Sequence, residues 1–169
     1  LHAAKVTHQL MRDFGCVQSP INAYMLNLGL ESLHVRMARH CENGQAVAEF
    51  LASHPKIAYV NYCGLPGDKY HAVAEKYLPN GSCGVVSFGV KGGREAAAAF
   101  MGHLKIAAIE THVADARTCC LHPASSTHRQ MNDEQLIAAG VQPDLVRMSC
   151  GLEDKNDLIH DIAQALDQI

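Results

Sequence analysis

Apolar and polar positions follow one period in the first third of this 169-residue chain and another after it. Up to about residue 53, apolar residues recur at steps of three and four, the spacing that places them on one face of a helix. Val6, Leu10 and Phe14 make one such stripe, and Gly15 is a natural stop. Ser19-Pro20 reads as a restart: the serine as N-cap, the proline at the first helical position, where its missing N–H is not needed. A long helical pattern then passes through Leu30, Leu33, Met37, Cys41, Gly44, Ala48 and Leu51, with Arg36, Arg39, Glu42, Asn43 and Glu49 off the stripe. Gly29 is a candidate kink.

Beyond residue 54 the pattern shortens and turns appear. "KIAYVNY" is rich in β-formers, and "CGLPGD" is a turn-rich loop. "KYHAVAEKYL" predicts a short helix, "GVVSFGV" a strand, and "KGGREAAAAFMGHL" a glycine turn opening an alanine-rich helix. "KIAAIET" and "RTCCLHP" are further strands, the second stopped by Pro123, and "ASSTHRQM" is a polar loop. "NDEQLIAAG" is a small helix capped by Asn132 or Asp133, and "DLVRMSCG" is the last strand. Leu158, Ile162, Ala165, Leu166 and Ile169 stripe a C-terminal helix. Two helices followed by β-α-β-α-β-β-α-β-α make an α+β or α/β domain, a small sheet with helices on one face.

That arrangement gives the strands a second face. Side chains alternate along a strand, so Val86, Phe88, Val146, Met148 and Cys150 point one way, and Ser87, Gly89, Arg147 and Ser149 the other. Small and polar residues there meet either water or another domain across a ligand. Arg147, in the middle of a short strand, is either a solvated charge or a rigidly aimed fork for a carboxylate. Ser125, Ser126, Thr127 and His128 follow a strand, where such a run makes an ordinary turn or hydrogen-bonds a ligand.

Composition narrows the classes of function. Hydrophobic residues make up 48% of the chain, but aromatics only 5%, so aliphatic side chains must fill the core. The net charge of −3 argues against a nucleic-acid partner; the nearest approach to a basic stripe is "HVRMARH". No apolar run reaches a membrane span. Leu1 opens an amphipathic stretch rather than a signal peptide, and the missing initiator methionine is expected of a fragment or a processed piece. Seven cysteines without a CxxC pair read as free, mostly buried thiols of a reducing cytoplasm, and no Cys or His pair has zinc-ligand spacing. No G-x-S-x-G elbow is present, and "VKGGRE" lacks the rest of a phosphate-binding fingerprint.

Four stretches taken together carry a resemblance: "SPINAYMLNLGLESLHVRMARHCENGQAVAEFL", "VNYCGLPGDKYHAVAEKYLPNG", "SFGVKGGREAAAAFMGHLKI" and "LHPASSTHRQMNDEQLIAAGVQPDLVRMSCGLEDKNDLIHDIAQAL". They resemble the C-terminal part of the Cys/Met-metabolism enzymes that use pyridoxal phosphate. "RHCENG", "FGVKGGRE", "HPASSTHRQ" and "GVQPDLVR" favour the branch that replaces the acetyl group of O-acetylhomoserine by sulfur over the lyases. The resemblance implies an α+β domain with a small, mostly antiparallel sheet. It would span residues 1–169 as a single substrate-closing domain, with residues 1–53 as a largely helical lead-in. The cofactor would be held as a Schiff base by a lysine in another domain, since no lysine here stands in the family's Ser-x-Thr-Lys-like setting.

The resemblance also implies roles. Arg147 would bind the α-carboxylate of a small amino-acid substrate, with Thr127 supporting the pocket. The Val113 N–H and the His112 side chain would complete it, although His112 is bulkier than the serine or asparagine usual there. Ala114 replaces a glycine, and Cys63 a proline. Expected partners are the chain's own cofactor domain and further copies in a homo-oligomer, a tetramer at full length, in the cytoplasm. The fragment alone is expected to be inactive. A γ-lyase, or a non-catalytic binding or assembly module, stands as the alternative.

Overall fold

The structure is a computed structural model that describes residues 2–169; Leu1, which the periodicity assigns to the first helix, lies outside the described residues. The chain divides into two compact units, one ending at Val35 and one covering Arg36–Ile169. The first is helical. Helix α1 (residues 2–14) contains a π-helical stretch over Val6–Met11 and ends at Gly15, whose φ of 64° is the left-handed stop expected. Helix α2 (Pro20–Glu31) starts as the sequence dictates, with the Ser19 hydroxyl accepting from the Asn22 N–H at 3.2 Å. The interruption falls at Ser32, not at Gly29, and helix α3 (Leu33–Ser53) follows.

From Arg36 onward the second unit is a five-stranded sheet covered by helices. Its elements are β1 (Ile57–Asn61), α4 (His71–Tyr77), β2 (Val85–Val90), α5 (Gly93–His103), β3 (Ala108–Ile109), β4 (Cys119–Leu121), α6 (Asp133–Ala138), β5 (Leu145–Ser149) and α7 (Lys155–Asp167). The strand order is β1-β2-β5-β4-β3, antiparallel throughout except for the β3–β4 pair. This is the α+β class the pattern predicts, with a shorter β3 than "KIAAIET" suggested. Val86, Phe88, Val146, Met148 and Cys120 point to the covered face. They pack with Val47 and Leu51 of α3, Phe100 of α5, and Leu158 and Ile162 of α7. Phe88 and Phe100 meet edge to face with ring centres 5.8 Å apart.

The core stripe of α3 differs from the one read in the sequence. The buried positions are His40, Asn43, Gly44, Val47, Ala48 and Leu51, so the stripe runs through two polar residues, and Asn43 lies on it rather than off it. The reason is hydrogen bonding. The Asn43 amide donates to the carbonyls of Gly151 (2.9 Å) and Glu153 (2.8 Å), and the His40 Nδ1 donates to the Cys150 carbonyl (2.6 Å). Buried amide and imidazole groups are stable where they satisfy backbone acceptors. Here they satisfy the chain where it leaves β5.

The same turn is fixed from its other side. The Glu153 carboxylate accepts from the Thr118 N–H (2.7 Å) and hydroxyl (2.8 Å), and the Gly151 N–H donates to the Thr118 hydroxyl (2.8 Å). A Cβ at Gly151 would stand 2.5 Å from the backbone of residues 116–118, so only glycine lets the chain pass. Asp161 of α7, buried, accepts from three successive N–H groups, those of Lys105, Ile106 and Ala107, and so sets the entry to β3. All seven cysteines are free. Only Cys119, Cys120 and Cys150 are buried, which corrects the expectation that most would be. Burial pushes the Cys150 thiol up to about 12.

Candidate substrate-binding site

The uncovered face of the sheet carries the candidate site. Register places Ser87 of β2 and Leu121 of β4 directly beside Arg147 of β5, so the three side chains form one row across the sheet. The row is the floor of a cleft of about 450 Å³, walled by Pro123, Thr127 and His128 on one side and by Thr111 on another. Apart from Arg147 the lining is largely apolar, as small-molecule sites commonly are.

Not every residue on that face reaches the cleft. Gly89 is covered: a Cβ there would run into the Tyr59 ring, and the Tyr59 hydroxyl donates to the Asp144 carboxylate at 3.3 Å. Burial and that neighbouring carboxylate both push the Tyr59 phenol up, so it stays a neutral donor. Ser149 is buried and accepts from the Ala114 N–H at 3.0 Å. The part of this face open to a ligand is therefore centred on Ser87 and Arg147.

Arg147 is held but not satisfied. One terminal nitrogen donates to the Thr111 carbonyl at 2.8 Å, while Nε is buried and has no hydrogen-bond partner. Among the described residues no carboxylate lies within ion-pair distance of its guanidinium. A guanidinium has five N–H donors, and an unpartnered buried donor costs about 1–3 kcal/mol. The arrangement is a forked cation that no carboxylate of the described residues pairs with.

Two loops carry the remaining candidates. In the β4–α6 connection, Pro123–Ser125 form a 3-10 turn, and Thr127 follows with its hydroxyl 2.9 Å from the His128 ring. His122 anchors this loop from below. Its Nε2 donates to the Pro143 carbonyl (2.8 Å), which leaves Nδ1 to accept from the Ser125 hydroxyl (2.9 Å). Burial holds its pKa below the usual histidine value, so the ring is neutral near pH 7. The sequence placed the interest in Ser125–His128 and missed His122, whose role depends on a carbonyl 21 residues away.

The β3–β4 loop holds His112, Val113 and Ala114. The structure does not bring His112 to the cleft: its ring is exposed and lies between Glu110 (3.3 Å) and Asp115 (3.4 Å), in a charged group with Arg117. Val113 and Ala114 line an adjoining cavity of about 90 Å³ with Ser149 and His40. Ala114 has a φ of 59°, the left-handed conformation that glycine adopts without penalty. The residue of this loop that does touch Arg147 is Thr111, through its backbone carbonyl, a contact with no side-chain signal in the sequence. Arg147 and Thr127 thus share the cleft, while His112, Val113 and Ala114 stand beside it.

Comparison with known proteins shows the family to which the chain belongs. Residues 2–167 match the family described as Cys/Met metabolism PLP-dependent enzyme. An O-acetyl-L-homoserine sulfhydrylase of Leptospira meyeri is 44% identical over 98% of this chain, and a homocysteine synthase of Schizosaccharomyces pombe 43% over 94%. An L-methionine gamma-lyase of Fusobacterium nucleatum is 39% identical over 92%. Among solved structures, a Campylobacter jejuni protein assigned as an O-acetylhomoserine (thiol)-lyase, carrying N'-pyridoxyl-lysine-5'-monophosphate, superposes with a TM-score of 0.87. It is 37% identical and is matched over 98% of this chain and 39% of its own length. The chain spans 37–39% of the length of these curated relatives. With a family match over nearly all of its residues, the chain belongs to the Cys/Met-metabolism family of pyridoxal-phosphate-dependent enzymes.

Proposed function

We propose that this chain is the substrate-closing part of a pyridoxal-phosphate enzyme that replaces the acetyl group of O-acetylhomoserine by sulfur, making homocysteine from sulfide or methionine from methanethiol. The observation that carries the reading is Arg147: a guanidinium on a packed central strand, with an unpartnered Nε and no carboxylate paired to it among the described residues, set in a largely apolar cleft. A fork of that kind takes a carboxylate bidentately and fixes its orientation, while the apolar walls suit a short aliphatic side chain. The names of the most similar relatives support sulfur transfer over elimination.

The residues present fit the substrate side of such a site. No lysine lines the cleft among the described residues, so attachment of the cofactor is assigned to the length of the relatives that this chain does not span. Pyridoxal phosphate, when bound, supplies the electron sink for carbanion chemistry at the substrate. This chain's share is binding and placement. Arg147 holds the α-carboxylate, the Thr111 carbonyl fixes the plane of the guanidinium, and Thr127 borders the pocket. Orientation of this kind converts binding into rate, because the reacting carbon is presented at one fixed position. The Val113 N–H and His112 are proposed to approach the carboxylate only when the β3–β4 loop rearranges. The full-length protein is proposed to be a cytoplasmic homotetramer, with residues 1–53 as the helical lead-in.

The test is Arg147→Ala in the full-length protein. Substrate affinity should fall by about 1.5–3 kcal/mol, roughly 10- to 150-fold, with cofactor absorbance retained. Unchanged affinity would remove the carboxylate role. Release of a 2-oxo acid in place of homocysteine would favour the γ-lyase alternative, which the similarity to L-methionine gamma-lyase keeps in view.

A further inference from the structure

The loop that walls the cleft has no strand to pair with, yet it is clamped at both ends by one side chain. Arg94 stands in the first turn of α5, just after Gly92 and Gly93, whose φ values of 106° and 73° turn the chain sharply out of β2. Its guanidinium reaches across to the β4–α6 connection. One terminal nitrogen donates to the Ala124 carbonyl at 2.6 Å, on the near side of Thr127. The other donates to the Met131 carbonyl at 3.4 Å, on the far side. Nε and that second nitrogen both bond the Asp133 carboxylate, Nε at 2.9 Å, at the start of α6.

The geometry points to Arg94 as a positioning residue for the substrate site: it fixes the segment between Ala124 and Met131, and so sets where Thr127 and His128 stand relative to Arg147. This rests on the carboxylate-binding role proposed for Arg147. The charge pair alone would not carry the inference, since Arg94 is about one-third and Asp133 more than half exposed, and exposed pairs contribute little. The carbonyl contacts do. A planar guanidinium meets three acceptors at once in fixed directions, whereas an ammonium on a flexible stem would reach one or two. His122 fixes the loop's start from beneath, but no His122 contact reaches residues 127–131. Backbone bonds from the N–H of His128 to Pro123, of Arg129 to Ser126 and of Met131 to His128 shape the loop itself; Arg94 is what ties its two ends to α5.

Four variants of the full-length protein test this: Arg94→Ala, Arg94→Lys, Asp133→Asn and Arg147→Ala. Two quantities are read, the kcat and KM for O-acetylhomoserine, and amide hydrogen exchange over residues 124–131. For Arg94→Ala the expected result is a KM about tenfold higher with a kcat within threefold, and exchange at least tenfold faster in 124–131 but unchanged in β2 and β5. Arg94→Lys should recover part of both effects. Asp133→Asn, which keeps the carbonyl contacts, should move KM less than threefold. Faster exchange with an unmoved KM would make Arg94 purely structural, and unchanged exchange would show that it clamps nothing. Either result overturns the inference. Unmoved KM in Arg147→Ala would instead remove the carboxylate reading, and the positioning role with it. Should Arg94→Ala fail to fold, the Arg94→Lys and Asp133→Asn pair decides by the same criteria.

Discussion

The two faces of one sheet are built on opposite terms. On the covered face, Val86, Phe88, Val146 and Met148 are wholly buried against α3, α5 and α7, and each position is set by shape. On the other face the row Ser87, Arg147, Leu121 borders open space, and its neighbours are placed by hydrogen bonds rather than by packing. The same five residues of β5 serve both faces alternately. A strand that must be rigid for binding obtains that rigidity from the side it does not use for binding.

The contrast can be pressed by substitution. Phe88→Ala should have the largest effect, a loss of about 3–5 kcal/mol of stability in urea unfolding, because it opens a cavity against Phe100. Arg147→Ala should cost less than about 1 kcal/mol in the same measurement, since its one backbone contact is exposed, even though binding falls far more. Comparable stability losses at the two positions would break the division between the faces. Gly151→Ala, at the turn both faces share, should destabilise by about 1–3 kcal/mol, because the backbone it meets at 2.5 Å must shift.

Smaller effects refine the picture. Ala114→Gly should raise stability by about 1 kcal/mol or less, as glycine relieves the left-handed backbone at a φ of 59°. A decrease would mean the loop tolerates alanine without strain. His122 should leave a pH signature. Its folded pKa lies below the unfolded value of about 6.5, so the unfolded chain binds more protons as pH falls through that window. Stability is then lower at pH 5.5 than at pH 7.5, and His122→Gln should flatten that part of the profile.

Much of this was legible in the sequence, and the misses share a cause. Alternation placed Arg147 opposite Val146 and Met148, and residue type signalled the cap at Ser19 and one at Asn132 or Asp133; Ser19 and Asn132 accept the expected backbone N–H. The capping box at Asn132–Gln135 adds the reciprocal bond. What escaped was polar burial. His40 and Asn43 look like surface residues until the carbonyls of residues 150–153 stand beside them, and those carbonyls are more than 100 positions away. Thr111 escaped because its contact is made by backbone. Gly89 was read as part of an open face because its cover, Tyr59, comes from the neighbouring edge strand.

The bonds from α3 to the end of β5 have a mechanical meaning. His40 and Asn43 grip residues 150, 151 and 153, only a few positions beyond Arg147, and Glu153 ties the same turn to Thr118. Helix and strand are joined like a handle and blade. The strand that carries the guanidinium cannot slide along α3 without breaking these bonds.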